Sequence, residues 1–102
     1  MRHMKEDIYA SSNVEIAVML GKRLRDYRKR MGFTRKVLAE RSGVSEFTIG
    51  GFERGENPGL SLQSLLALMR ALGELERVEV LFPEVSVSPK EVFEQERRKL
   101  KR

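Results

Sequence analysis

Apolar residues recur along the first half of the chain at helical intervals. Ile16, Leu20, Leu24, Tyr27 and Met31 stand four, four, three and four residues apart. That is one stripe on a helix predicted over residues 13–31 and stopped by Gly32. Val37 and Leu38 face inward on a second helix over 35–41, where Ala39 is small enough for a helix crossing. Ile49 and Phe52, at i and i+3, do the same on a third helix over 46–53. Arg54-Gly55-Glu56-Asn57-Pro58-Gly59 has the composition of a loop. Ser61 is placed to cap a fourth helix, whose stripe is Leu62, Leu65, Leu66, Met69 and Leu72 and whose stop is Gly73. Residues 74–82 admit two readings. Leu75, Val78 and Phe82 suit a helix, while Val78-Glu79-Val80 alternates as a strand does; a short helix ended by Pro83 is favoured.

Pro83 to Ser88 reads as a linker. Ser88-Pro89-Lys90-Glu91 then marks a helix start: a Ser cap, Pro at the first position and Glu three past the cap. This last segment has only Val92, Phe93 and Leu100 to bury, so it is expected to need a partner for stability. Residues 1–12 carry no periodicity. The chain divides into a flexible N-terminus (1–12), an all-α domain (13–82), and a linker with a basic C-terminal tail (83–102).

Composition narrows the class. A length of 102 residues, 40% hydrophobic and 34% charged, fits one soluble domain. No apolar run approaches the ~18 residues of a membrane span, and the start, Met1-Arg2-His3-Met4-Lys5-Glu6-Asp7, is not a secretory signal. The absence of cysteine excludes a disulfide, a thiolate zinc site and a cysteine nucleophile, and fits a cytoplasmic location. His3 is the single histidine and no His/Asp/Glu cluster has metal-ligand spacing, so no catalytic site, metal or cofactor is expected. Gly50-Gly51 with Gly55 is no phosphate loop, because the remaining residues of that motif are missing.

Charge adds a direction. The net charge is +5, and it is concentrated. Lys22, Arg23, Arg25, Arg28, Lys29, Arg30, Arg35 and Lys36 share residues 22–36 with a single acid, Asp26. A second basic stretch closes the chain, Arg97-Arg98-Lys99-Leu100-Lys101-Arg102. Both suit a polyanion, although the Arg28-Lys29-Arg30 run also reads as a solvated helix face.

Between these helices the local chemistry is specific. Thr34 and Ser45 are each placed to accept an orphan N–H of the following helix. Gly43 stands where the chain must reverse between them. Two short helices around a glycine turn form a helix-turn-helix, whose second helix enters the DNA major groove.

From Leu20 to about Phe82 the chain resembles the lambda-repressor-like, or XRE-type, helix-turn-helix proteins. The stretches that carry the resemblance are Leu24-Arg25-Asp26-Tyr27-Arg28, Gly32-Phe33-Thr34, Leu38-Ala39-Glu40, Gly43-Val44-Ser45, Ile49, Phe52-Glu53-Arg54-Gly55, Asn57-Pro58 and Ala71-Leu72-Gly73. The resemblance implies a five-helix, all-α DNA-binding domain, here with a C-terminal basic extension, in a transcriptional regulator that is usually dimeric. It also implies that Arg28 and Glu53 pair inside the fold, where each charge would need a partner if buried.

Thr34 starts the second helix, whose N–H groups can hold a DNA phosphate, as well as serving as a plain cap. Glu46, Phe47, Thr48, Gly50 and Gly51 are candidates to face the groove, together with the cap Ser45. Glu46 can accept from cytosine N4, Phe47 can touch a thymine methyl, and Thr48 can bond a base or phosphate. Glu46 has a plainer reading too, as a carboxylate beside the helix dipole. The adjacent glycines depart from the family, which often has polar or basic side chains there; they read as close backbone approach or as a weakened reader. Arg35 replaces the family's most common glutamine and can bind a phosphate or a guanine edge. Lys36, Arg54 and Asn57 are candidates for backbone contacts, or plain surface and loop residues. Leu75, Val78, Leu81 and Phe82 are the candidate homodimer interface, since one recognition helix reads too few base pairs alone.

The tail adds a second resemblance, to HipB-like antitoxins, which repress their own operon and bind a kinase-type toxin. Three functions follow as expectations: a double-stranded-DNA-binding dimeric repressor, an antitoxin that also binds a toxin protein, and a helix-turn-helix used only for protein contacts.

Overall fold

The first long helix is fastened at both ends by its own sequence. In the computed structural model, which describes residues 8–86 and 89–100, Ile8–Ala10 forms one 3-10 turn and α1 runs Asn13–Arg30. Ser12 caps it reciprocally. The Glu15 amide donates to Ser12 Oγ (3.1 Å) and the Ser12 amide to the Glu15 carboxylate (2.8 Å). Those bonds hold the Glu15 carboxyl below its usual range, the Ser12 backbone N–H first. Residues 8–12 thus hold a 3-10 turn and a helix cap. At the other end Gly32 adopts φ 75°. Its N–H reaches the Lys29 carbonyl (2.9 Å), and that of Phe33 reaches the Arg28 carbonyl (3.1 Å). This paired closure satisfies two orphan carbonyls and needs a left-handed residue, which glycine supplies without a Cβ clash.

Four more helices follow: α2 (Arg35–Ser42), α3 (Glu46–Glu53), α4 (Leu62–Ala71) and, after a 3-10 turn at Leu75–Arg77, α5 (Val78–Leu81). Residues 74–82 thus take the helical reading. Phe82 leaves the helix with φ −138° and ψ 81°, outside the helical region that a following proline disfavours. The last helix, α6, spans Pro89–Leu100; the Ser88 cap expected before it lies outside the described residues, as do the side chains of Val92 and Leu100. Among the described residues there are six α-helices, two 3-10 turns and no strand. That is one helix beyond the expected five, and the sixth lies in the C-terminal extension.

The core is Leu24, Leu38, Val44, Ile49, Phe52, Leu68 and Leu72, with Tyr27, Phe33, Ala39, Leu60, Ala67 and Ala71 packed partly against it. α1 packs on α3, and α2 packs on both α3 and α4. The buried face of α1 differs from the predicted stripe: it is Gly21, Leu24 and Arg28, while Leu20 and Met31 are exposed. The reason is the closeness of the α1–α3 crossing. A Cβ at Gly21 would overlap the Phe52 carbonyl oxygen, so only glycine lets the two backbones meet. On α4, Leu62 is 63% exposed, and Leu68, absent from the predicted stripe, is fully buried. Apolar residues occupy both sides of α4, and packing against α2 selects the Leu68 side.

The other apolar side of α1 does not go to waste. Leu20, Leu24 and Tyr27 line a groove of about 290 Å³ shared with Leu65, Met69, Leu72, Val78 and Leu81. Tyr27 is flanked there by two guanidinium groups, Arg30 and Arg77, each 5.4 Å from the ring centre.

Candidate nucleic-acid interface

The turn between α2 and α3 is built from side chains that satisfy helix ends. Gly43 takes φ 79° and its N–H reaches the Ala39 carbonyl (2.9 Å). The Val44 amide donates to Ser42 Oγ (3.1 Å), which carries the chain into Ser45. Ser45 Oγ accepts from the Thr48 amide (3.1 Å) and donates to Thr48 Oγ1 (2.8 Å). Thr34 caps α2 in the same way through the Val37 amide (3.1 Å). That cap takes one orphan donor. Among the described residues the amides of Arg35 and Lys36, in the same first turn, have no hydrogen-bond partner. They form a ready donor pair at the positive end of a helix.

Beneath this surface a charged network locks α3 in place. Arg28 grips the Glu53 carboxylate with two parallel bonds, Nε to Oε2 at 2.7 Å and Nη2 to Oε1 at 2.9 Å. Its Nη1 donates to the Phe33 carbonyl (2.8 Å). Arg35 Nε adds a third bond to Glu53, at 3.0 Å to Oε1. Both Arg28 and Glu53 are buried, and no buried side-chain polar atom among the described residues lacks a partner. Burial drives the Glu53 carboxyl upward, but the hydrogen bonds from Arg28 and Arg35, with their charges, outweigh it and hold it below the usual carboxylate range. Donating to Glu53 in turn raises the Arg28 guanidinium, which burial alone would lower.

Little of α3 remains open. Every residue from Ile49 to Glu53 is buried. Glu46 and Phe47 are exposed, Phe47 to 84%, and Thr48 is half-buried. Gly50 and Gly51, read from the sequence as close backbone approach or as a weakened reader, are both covered. The Arg54 guanidinium lies over Gly50, its Nη1 2.8 Å from where a Cβ would stand, and is held by Glu56 at 3.1 Å. Gly51 lies under Asn57, whose Cβ is 3.3 Å from that position, and the Gly51 carbonyl accepts the amides of Glu56 (2.9 Å) and Asn57 (3.0 Å). The glycines thus seat the two loop residues, Arg54 and Asn57, on the helix.

The remaining candidates fall as follows. Thr34, Lys36, Ser45, Arg54 and Asn57 are exposed, and they share the α2–turn–α3 unit and the loop after it with Glu46 and Phe47. Arg35 is half-buried and engaged inward. Leu75 and Val78 are half-buried, whereas Leu81 and Phe82 are exposed, Phe82 to 89%. Three contributors escaped the sequence reading. Gly21 sets the α1–α3 distance, Glu56 holds Arg54, and Arg35 bonds to Glu53. The last of these joins residues 18 apart in sequence, and nothing local marks it. Among the described residues no group of His, Cys, Asp or Glu side chains could hold a metal ion, and no helix is long and apolar enough to cross a membrane.

Comparison with known proteins agrees with this architecture. A family model described as a helix-turn-helix domain matches residues 19–81. Over 60 residues the chain is 43% identical to an uncharacterized HTH-type transcriptional regulator of Methanothermobacter thermautotrophicus, a match covering 58% of this chain and 83% of that protein. No solved structure matches the chain. With more than half of its length matched to the family model, the chain belongs to the helix-turn-helix domain family, in its XRE-like form.

Proposed function

We propose that this protein is a sequence-specific double-stranded-DNA-binding transcriptional regulator, acting in the cytoplasm as a dimeric repressor. The observation that carries the reading is the exposed start of α3, Glu46 and Phe47, held by a buried ion-pair network beside the free amides of α2. Such an arrangement offers groove contacts from one helix and phosphate contacts from the next. The relative described as a transcriptional regulator supports the same reading. Lys22, Arg23, Arg25, Lys29, Arg30 and Lys36 are all exposed, so the basic stretch is available to a polyanion. The dimer is supported by the open apolar surface at Leu81 and Phe82, beside Leu75 and Val78.

Fluorescence anisotropy with a duplex from the protein's own promoter tests this. Tight binding at low salt that weakens steeply as salt rises is expected, because each phosphate contact releases counterions. Absence of salt-sensitive binding to that or any other duplex overturns the reading.

A second reading, an antitoxin that also occupies a toxin protein, is supported by α6, a helix with an exposed Phe93 and a basic end. Co-purification with the product of a neighbouring gene separates it from a stand-alone repressor.

A further inference from the structure

We propose that Arg54, just past the end of α3, reads a guanine edge in the major groove from the place that a side chain at residue 50 would otherwise take. The inference rests on the DNA-binding reading and deepens it, by naming a base-specifying residue outside the recognition helix itself. Glu46, Gly50 and Arg54 stand four residues apart in turn, on one line of a helix face. Arg54 caps α3 with helical backbone angles, φ −83° and ψ −5°, so it keeps that alignment. Its side chain leans back towards the start of the helix, as helical side chains do, and no side chain at Gly50 stands in its way. There its Nη1 lies 2.8 Å, and its Cζ 3.5 Å, from where a Cβ would be. The guanidinium is thus carried back along the line towards the exposed Glu46. Covering Gly50 does not bury the arginine, whose side chain stays 45% exposed. α3 has no basic residue of its own, and Arg54 supplies the cation that this line lacks.

Glu56 selects between a base and a phosphate. Arg54 Nη2 lies 3.1 Å from Glu56 Oε2, and both side chains are open to solvent. A phosphate brought to this guanidinium also approaches that carboxylate, and like charges repel. Guanine instead presents O6 and N7, which are neutral acceptors. A guanidinium carries five N–H donors in a rigid fork. One bond to Glu56 therefore orients the fork and leaves donors for a bidentate contact. A lysine ammonium is a single point on a flexible stem and offers no such fork.

Selection of bound duplexes from a library of random double-stranded DNA tests this, with the full chain as wild type, Arg54→Lys and Gly50→Ala. Affinities for the selected duplex and its single-base-pair variants are then measured, with their salt dependence. Both substitutions keep the positive charge, so the salt slope should match the wild type. The wild type should select a guanine at one fixed position, and exchanging that base pair should weaken it by roughly 5- to 150-fold. Arg54→Lys removes the fork, and the Gly50→Ala methyl pushes the guanidinium off the helix. Each should lose the preference at that one position and keep those at the others. Arg54→Lys, at an exposed residue, carries the measurement should Gly50→Ala not fold. If either folded variant keeps the guanine preference, the proposal is overturned. If Arg54→Lys instead weakens every duplex by the same factor, Arg54 meets the DNA backbone, and the proposal is again overturned. A wild type that binds no duplex sinks the DNA-binding reading and this inference with it. A wild type that selects a motif unchanged in both variants sinks this inference alone.

Discussion

Adding a methyl group at Gly21 drives a carbon into the Phe52 carbonyl oxygen, and backbone cannot step aside. Alanine is the better helix former by about 1 kcal/mol, yet Gly21→Ala is expected to destabilise the protein. The same change at Gly50 meets only the far end of the Arg54 side chain. Gly50→Ala should therefore swing Arg54 outward and gain up to about 1 kcal/mol. Urea denaturation of the two variants should move their midpoints in opposite directions; a raised midpoint for Gly21→Ala would mean that the α1–α3 crossing is looser than described, and a lowered one for Gly50→Ala that Arg54 does not yield. Glu53→Ala leaves Arg28 buried without its partner, at a cost of roughly 3–5 kcal/mol. The pH dependence follows from the depressed carboxyl. Its contribution is complete above the ordinary glutamate pKa of about 4.3 and is lost as pH falls through the lower folded value. The gap between wild-type and Glu53→Ala melting temperatures should thus close on acidification. A gap unchanged between neutral pH and pH 2 would show that the charge of Glu53 is not what stabilises the fold.

Elements with local signals were legible in the sequence. The caps at Thr34, Ser45 and Ser61 and the turn at Gly43 depend on a few adjacent residues, and each helix begins or ends where those residues put it. The interior face of a helix is less local. On α4 seven of ten residues are apolar and they fall on both sides, so periodicity does not choose between the Leu68 side and the Leu62 side. On α1 the buried face includes a glycine and an arginine, which a search for apolar stripes passes over. The candidate groove residues were legible as types but not as surfaces, because Arg54 and Asn57 fold back over the glycines. For α6 the helix itself was legible from its start signal. Deleting residues after Pro83 is expected to separate two roles. A tail that grips phosphates should, when removed, weaken all duplexes about equally and flatten the salt slope. A tail that grips a toxin should leave DNA affinity unmoved and abolish co-purification. If neither assay changes, the tail has no binding role and the antitoxin reading loses its support.

At the scale of the whole molecule, two copies are expected to associate through the surface around Leu81 and Phe82. A two-fold contact places the same residues on both subunits, so one substitution acts twice. Phe82→Glu should yield a monomer by sedimentation while leaving the melting of the isolated domain almost unchanged, since Phe82 is exposed. A variant that sediments as the wild type would move the interface elsewhere. The Glu53 carboxylate has one more consequence. It accepts hydrogen bonds from residues 25 and 18 positions upstream, and so ties three helices to one buried point. Local fraying of α3 must break bonds to both other helices, and fraying of α1 or α2 must break its bond to α3. The amides of α1, α2 and α3 flanking this point should accordingly exchange with deuterium at a common, slow rate, as a single cooperative unit. Those of α5, four residues long and with no buried side chain, should exchange far sooner. Protein in heavy water, followed by NMR, should show that division directly.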